Sequence, residues 1–304
     1  MPLVSKTCDQ DGIRLDSFVT EAFDSTYSRS FYKRLIDDGK ISVNGKVITK
    51  AGTKLVSGDI VEADIPEPKE DDSFVAQDIP LDIVYEDSDL LVINKPQGMV
   101  VHPAAGHSEG TLVNALLAHC KDELSDINGV LRPGIVHRID KDTSGLMLAC
   151  KNNFTHLKLA DMLSRHEIVR EYRALVYGYV KEDRGMVDAP IGRSANDRRK
   201  MAVIKDGKNA VTHFEVLDRL GELTDLKLIL ETGRTHQIRV HMAYIGHPVV
   251  GDPVYAPRRK NYGLSGQALH SQAITFVHPR TGETMHFEVD LPEYYEALLK
   301  SFKG

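Results

Sequence analysis

An α+β fold is what this sequence predicts, and three observations carry the prediction. Apolar alternating runs and amphipathic stretches succeed one another without a strict βαβ order, so the sheet is expected to be a largely antiparallel mixed sheet with flanking helices. A proline-containing acidic stretch, Pro66–Gln77, separates a short helix-and-hairpin unit from the rest of the chain. No 20–50-residue repeat or low-complexity tract divides the longer carboxy-terminal part. At 304 residues, two domains are the ordinary expectation. The expected boundaries are 1–66 for a small α/β amino-terminal domain, 67–77 for the linker and 78–304 for the main domain.

The elements come from local pattern. Leu15, Phe18, Val19 and Ala22 share one face of a short helix. Ser28 or Ser30 caps a second helix running through Arg34 and Ile36, and Gly39 ends it. Ile41 and Val43 alternate with polar residues, Asn44-Gly45 is a two-residue hairpin turn, and Gly58-Asp59 turns the chain into Ile60–Ala63. Beyond the linker, strands are predicted at Leu81–Tyr85, Leu90–Asn94, Leu146–Ala149, Tyr172–Val180, Val211–Leu217, Leu226–Leu230, Ala273–Val277 and Met285–Val289. Helices are predicted at Leu112–His119, Asn153–Arg165, His236–Ile245 and Glu293–Lys300.

Composition excludes several classes. With 41% hydrophobic and 27% charged residues the chain is neither disordered nor collagen-like. No stretch approaches the ~20 apolar residues of a membrane span, and MPLVSKTCDQ lacks a signal pattern. Cys8, Cys120 and Cys150 are isolated from one another, so neither a disulfide framework nor a zinc site is expected and a reducing cytoplasm fits. The net charge of −6 is misleading for a nucleic-acid binder. Nine acids against one lysine between Glu67 and Asp89 account for more than the whole excess, while Arg193–Lys208 holds six bases and two acids.

Phosphate-cradling, dinucleotide, HExxH and GxSxG signatures are absent, and His236 and His241 miss the i, i+4 spacing of helix-borne metal ligands. No metal site is expected. Two segments carry dense polar chemistry. His137-Arg138-Ile139-Asp140 sits between an apolar pair and a Thr143-Ser144-Gly145 turn, where a strand breaking into a loop can expose a carboxylate beside basic groups. Gly233 then breaks a strand and presents Arg234, His236, Arg239 and His241 at a helix start. By residue type alone, the first segment is more often a surface loop with a local ion pair, and the second a solvated basic helix end. One carboxylate without a second places no glycosidase-type acid–base pair.

These segments resemble the RluA family of RNA pseudouridine synthases, particularly its RluD-like ribosomal RNA branch, and the likeness covers nearly the whole chain. His137–Gly145 is similar to the family's His-Arg-Leu-Asp…Thr-Ser-Gly motif, with Ile139 in place of leucine. Arg170-Glu171-Tyr172-Arg173-Ala174 resembles its tyrosine motif, and Gly233–His241 its basic motif, followed by Gly246–Pro253. The amino-terminal unit resembles the RNA-binding domain first known from small-subunit ribosomal protein four, through Arg14-Leu15-Asp16, Ser28-Arg29-Ser30, Leu35-Ile36, Val43–Lys46 and Gly58-Asp59. That unit holds nine bases and ten acids, so any RNA contact has to come from a local patch rather than a basic average. A protein-docking unit is the other reading of its acidic sum.

The resemblance implies an enzyme that isomerises uridine to pseudouridine in RNA, ribosomal RNA before transfer RNA, as a cytoplasmic monomer with no cofactor, no DNA partner and no membrane. Asp140 is the implied essential carboxylate, attacking the ribose or the base or abstracting a sugar proton. Arg239 is its implied partner, since an enclosed carboxylate without one would be neutralised. Tyr172 is implied to pack on uracil and assist the final proton removal. Arg138 is implied to fill the space a flipped nucleotide leaves. His137, Thr143, Arg234 and His236 are implied substrate contacts, with Lys95, His102 and Arg193–Lys200 as backbone contacts. Arg29, Lys33, Arg34 and Lys46 are the expected RNA contacts of the amino-terminal unit. Two other classes remain alternatives: a non-catalytic ribosome-assembly factor, disfavoured by Asp140, Tyr172 and Arg239 occurring together, and a nucleoside hydrolase, disfavoured by the lack of a metal-binding aspartate cluster.

Overall fold

A computed structural model of the chain describes residues 3–23, 29–65, 75–102, 109–121, 123–125, 133–195, 197 and 200–303. Ser28, the segment 66–74 of the expected linker, Arg198 and Arg199 lie outside the described residues, as do the side chains of Arg29 and Ser30. Among the described residues no helix is long and apolar enough to cross a membrane. The three cysteines are buried and unbonded to one another.

The amino-terminal unit runs β1 (Leu3–Thr7), α1 (Leu15–Ala22), α2 (Arg29–Asp37), β2 (Ile41–Val43), β3 (Lys46–Val47) and β4 (Ile60–Asp64). Its antiparallel sheet has the order β1-β4-β2-β3. Leu15, Phe18 and Val19 of α1 meet Tyr32, Leu35 and Ile36 of α2 over Ile41, Val61 and Ala63, which is the amphipathic spacing turned into a core. Asn44 and Gly45 both adopt positive φ, the geometry a tight β2–β3 turn demands. Asn44 also accepts from the Ile60 N–H at 2.9 Å, locking this turn to β4. Strand β1 carried no sequence signal; it exists by pairing along the whole of β4.

The main sheet contains β5 (Ile83–Glu86), β6 (Leu90–Lys95), β7 (Ser144–Cys150), β8 (Val169–Tyr177), β9 (Arg184–Asp188), β12 (Val211–Leu220), β13 (Leu223–Leu230), β14 (Leu269–Val277) and β15 (Thr284–Glu288). A separate hairpin is formed by β10 (Ile191–Arg193) and β11 (Met201–Val203). The main order is β5-β6-β7-β14-β8-β13-β12-β9, with β15 on β14. Among the described residues only β7 and β14 pair in parallel, so the expectation of a largely antiparallel mixed sheet holds. Helices α3 (Leu112–Cys120) and α5 (Gln237–Tyr244) cover one face, and α4 (Asn153–Ser164) and α6 (Glu293–Lys303) cover the other. This two-sided cover explains why β7 reads as an unbroken apolar run. Gly145 stands where that parallel contact is tightest: a Cβ there would fall 2.2 Å from the Ser271 carbonyl oxygen.

Several boundaries move under tertiary pairing. Strand β8 starts three residues before Tyr172 because Val169 pairs with Thr275 of β14, and it ends before Gly178, whose φ is positive. Strands β9, β10 and β11 were not predicted; they are short and two contain glycine, so alternation is too brief to register. Ile135-Val136 forms no strand before the Asp140 loop, only a single bridge from Ile135 to Ala149.

His156 and His270 are buried, and His137 half-buried, as neutral rings. His156 and His270 meet the hydroxyls of Ser125 and Ser144, and His137 accepts the Leu148 N–H at 3.0 Å. Burial pushes His137 down to about 3, helped by Arg170, and pushes His156 and His270 down to about 4. In the unfolded chain each returns to the ordinary 6.5, so between pH 6.5 and about 4 the unfolded chain binds protons the folded rings refuse. Stability present at neutral pH is therefore lost as pH falls through that window. The expected result is a thermal midpoint that drops from pH 7 to pH 5, with a shallower drop in His156→Gln. Equal slopes in the two proteins would contradict this account.

Candidate active site

The loop before β7 carries Asp140, and it is pinned from below. Lys95, at the end of β6, is fully buried and donates to the carbonyl oxygens of Pro96, Met99 and Lys141 at 2.8, 2.9 and 3.0 Å. Gln97 adds a bond to the Asp142 carbonyl at 3.0 Å, and the Thr143 N–H donates to the Asp140 carbonyl at 3.1 Å. The sequence expectation that Lys95 contacts RNA is thus corrected: no part of it reaches solvent, because the ammonium is consumed in shaping the Asp140 loop. Burial pushes its pKa down to about 7, against the opposing pull of Asp142 and Asp140.

Arg239 comes from the first turn of α5. It donates through Nη1 to Asp140 Oδ2 at 2.8 Å, and through Nε and Nη2 to the two oxygens of Asp252 at 2.7 and 2.9 Å. The Asp252 side chain is fully buried, and its Oδ1 also accepts the N–H groups of Val254 and Tyr255. Both carboxylates hold Arg239 charged: its pKa is raised despite burial. A fork held on one side by Asp252 presents its remaining nitrogen to Asp140 in one orientation.

His236 caps α5 in the left-handed region, with φ 57°. Its Nε2 stands 3.9 Å from Asp140 Oδ1, and its Nδ1 lies 2.9 Å from the Tyr255 hydroxyl. That hydroxyl already accepts the Met201 N–H at 3.0 Å, which leaves its own proton to donate to Nδ1. The neutral ring then carries its proton on Nε2, facing Asp140. Burial lowers the His236 pKa and favours this neutral form, opposed by Asp140.

Tyr172 lies on β8, 5% exposed, in the wall of the same cleft. Burial raises its pKa, so the group facing the cleft is a neutral phenol. Asp140, Tyr172, His236 and Arg239 line an open cleft with Arg138 and Arg170. Counting the space at its mouth, the cleft measures about 430 Å³.

The remaining expected residues divide. Arg138 is exposed at the mouth, and Arg234 is half-buried with its Nε on the Asn209 carbonyl at 2.8 Å. Thr143 is buried beneath the loop, accepting from Gln267 at 3.0 Å. His137 has its Nε2 spent on the Leu148 N–H, which fixes the root of the loop and leaves that nitrogen unable to contact RNA. His102 borders an adjoining cavity. Lys33, Arg34 and Lys46 are exposed on the amino-terminal unit, and Arg29 opens α2. His241, expected at the helix start with Arg234, His236 and Arg239, instead bonds Thr212 and the Ala189 carbonyl inside the core. Asp252, Tyr255 and Arg170 were missed as site residues. An aspartate in a Gly-Asp-Pro turn carries no local mark of an arginine thirteen positions back.

Among the described residues, Asp87, Asp89 and His278 bring metal-ligating atoms together away from this cleft. Their capacity is taken by protein donors: Arg280, Asn152 and Thr155 on Asp89, and Tyr85, His278 and two backbone N–H groups on Asp87.

Comparison with known proteins decides among the readings. The family model described as RNA pseudouridylate synthase matches residues 89–244, which contain Asp140, Tyr172 and Arg239. The chain belongs to the RNA pseudouridylate synthase family. Residues 13–61 match the S4 domain model. RNA pseudouridine synthase YlyB of Bacillus subtilis is 51% identical over 97% of this chain and 96% of its own. The protein named ribosomal large subunit pseudouridine synthase D of Zymomonas mobilis is 45% identical over 98% and 96%, and its namesake from Vibrio vulnificus 47% over 97% and 92%. Human RNA Pseudouridylate Synthase Domain Containing 1 is similar in fold, with TM-score 0.57 at 23% identity over 75% of this chain and 97% of its own. The chain is therefore an RNA pseudouridine synthase, an enzyme that isomerises uridine in RNA.

Proposed function

We propose that this synthase modifies specific uridines of large-subunit ribosomal RNA, with Asp140 as its essential carboxylate. The observation that carries the catalytic assignment is the Asp140–Arg239–Asp252 chain of charge-assisted bonds, which runs from the buried Asp252 to Asp140, its most exposed member, at the cleft. The ribosomal assignment is supported by relatives named for large-subunit synthases that align with nearly the whole chain. Isomerisation consumes nothing, so catalysis rests on positioning and electrostatics. Arg239 holds Asp140 in one orientation through its Nη1 bond. Tyr172 offers its ring to the flipped uracil, and its hydroxyl serves the final proton removal. Arg138, at the mouth, takes the place the nucleotide vacates in the RNA stack. The test is a map of pseudouridine across all RNA from cells with and without the gene. Loss confined to one or a few large-subunit positions is expected; loss confined to transfer RNA would overturn the ribosomal assignment.

The proposed domain division is 1–66, 67–77 and 78–304. The amino-terminal unit has its own core, so removing residues 1–66 should leave a folded catalytic domain. Exposed Lys33, Arg34 and Lys46 make it an RNA-contacting unit. The truncated enzyme is expected to bind RNA more weakly, and with a shallower dependence on salt, because phosphate contacts are lost. Filter binding at several salt concentrations checks this; an unchanged affinity and slope would favour a protein-docking unit.

A further inference from the structure

Arg170 is the second residue of β8, two before Tyr172, so the pleat turns both side chains to one face from Cα atoms about 6.8 Å apart. Glu171 between them points away and pairs with Lys227. Arg170 is only 6% exposed, and its Nε has no hydrogen-bond partner. Other guanidiniums near the sheet centre are matched: Arg239 by Asp140 and Asp252, and Arg173 by Asp225. Among the described residues no carboxylate stands within ion-pair distance of Arg170. The neighbouring His137 ring is held neutral and supplies no counter-charge.

A buried cation without an anion is costly and is seldom kept without a ligand to complete it. Arg170 stands in the wall shared by the catalytic cleft and a larger adjoining cavity, with Arg138 and Gly233 as the other shared borders. Gly233 lets the guanidinium lie flat against backbone: a Cβ there would fall 2.8 Å from Nη1. Asp140 is already engaged by Arg239, and uracil is neutral, so the missing partner is an anion that arrives with the substrate. We propose that Arg170 binds a phosphodiester flanking the uridine that enters the cleft. Arg170 and Tyr172 both line the cleft, and the guanidinium fork suits two phosphate oxygens. This inference rests on the synthase reading of the cleft, whose catalytic residues it leaves unchanged.

The test uses the full chain and two probes. Uridine 5′-monophosphate and 3′-monophosphate are compared with uridine for binding, which requires no turnover. The wild type is expected to bind one monophosphate about tenfold more tightly than uridine, and Arg170→Gln to lose that preference while binding uridine unchanged. Gly233→Ala, which displaces Nη1 without removing charge, should weaken the same preference. On an RNA hairpin carrying the converted uridine, Arg170→Gln is expected to lower kcat/KM about 30-fold. A methylphosphonate at the flanking phosphate should cost the wild type a similar factor and the variant nothing further. The thermal midpoint of Arg170→Gln should be unchanged or higher, since a buried charge is removed.

Equal binding of all three probes by the wild type, a preference retained in Arg170→Gln, or losses that multiply in the double perturbation would each overturn the proposal. So would a midpoint lower by about 10 °C, which would make Arg170 a structural cation. A wild type that prefers a monophosphate yet converts no uridine in RNA would overturn the proposed function and leave the anchor standing.

Discussion

Asp140→Asn is expected to abolish uridine isomerisation while leaving the fold and the RNA affinity nearly intact. Asparagine keeps the shape and one oxygen for the Arg239 Nη1 bond, but loses the charge and the nucleophilicity. Stability survives because Arg239 keeps its two bonds to Asp252, leaving a neutral, fully bonded pair in the interior. Asp140 itself is half-buried at the cleft, so its neutralisation strands no donor in the core. The measurement is the single-turnover rate of pseudouridine formation beside a thermal melt and an RNA titration. A variant running at even a tenth of the wild-type rate would remove Asp140 from its assigned role.

Asp252→Asn should have the opposite profile, losing stability and activity together. Asp252 accepts from four donors: Nε and Nη2 of Arg239 and the N–H groups of Val254 and Tyr255. An asparagine has one oxygen for them and turns an NH₂ group toward the rest, so at least one buried donor is orphaned in a fully enclosed site. Breaking a buried charged pair in this way costs about 3–5 kcal/mol. For a chain of this size, that is a midpoint lowered by roughly 10 °C. The freed Arg239 fork then loses its fixed aim at Asp140, and a rate lower by about 100-fold is expected even well below the melting range. Since Asp252 touches no substrate, it is a positioning residue, and the signature is a fall in kcat with little change in KM. A melt within 2 °C of the wild type, or a loss seen only in KM, would contradict this reading of the bidentate contact.

The element plan was largely readable because local pattern survives folding when one face must be buried. The α1 and α2 spacings became the amino-terminal core, and Asn44-Gly45 became the positive-φ turn its residues allow. Helices α3, α4 and α5 appear within two residues of the predicted positions. What failed was short or dependent on a distant partner. Strand β1 exists by pairing with β4, and β9 by pairing with β12. The early start of β8 depends on β14, a hundred residues away.

At the site, residue type and spacing located the two polar segments around Asp140 and Arg239 and left a surface-loop reading open for both. It was their resemblance to family motifs, legible because those motifs are contiguous, that singled out Asp140, Tyr172 and Arg239. Only the tertiary structure decided what each charge is worth. It buried Lys95 beneath the loop and turned His137 to the backbone, although both look like surface bases in the sequence. It added Asp252 and Tyr255 as the supports of Arg239 and His236, and left Arg170 without an anion. The physical reason is that a charge's role depends on its desolvation and on the partners that meet it, and those partners come from elements far apart in the chain.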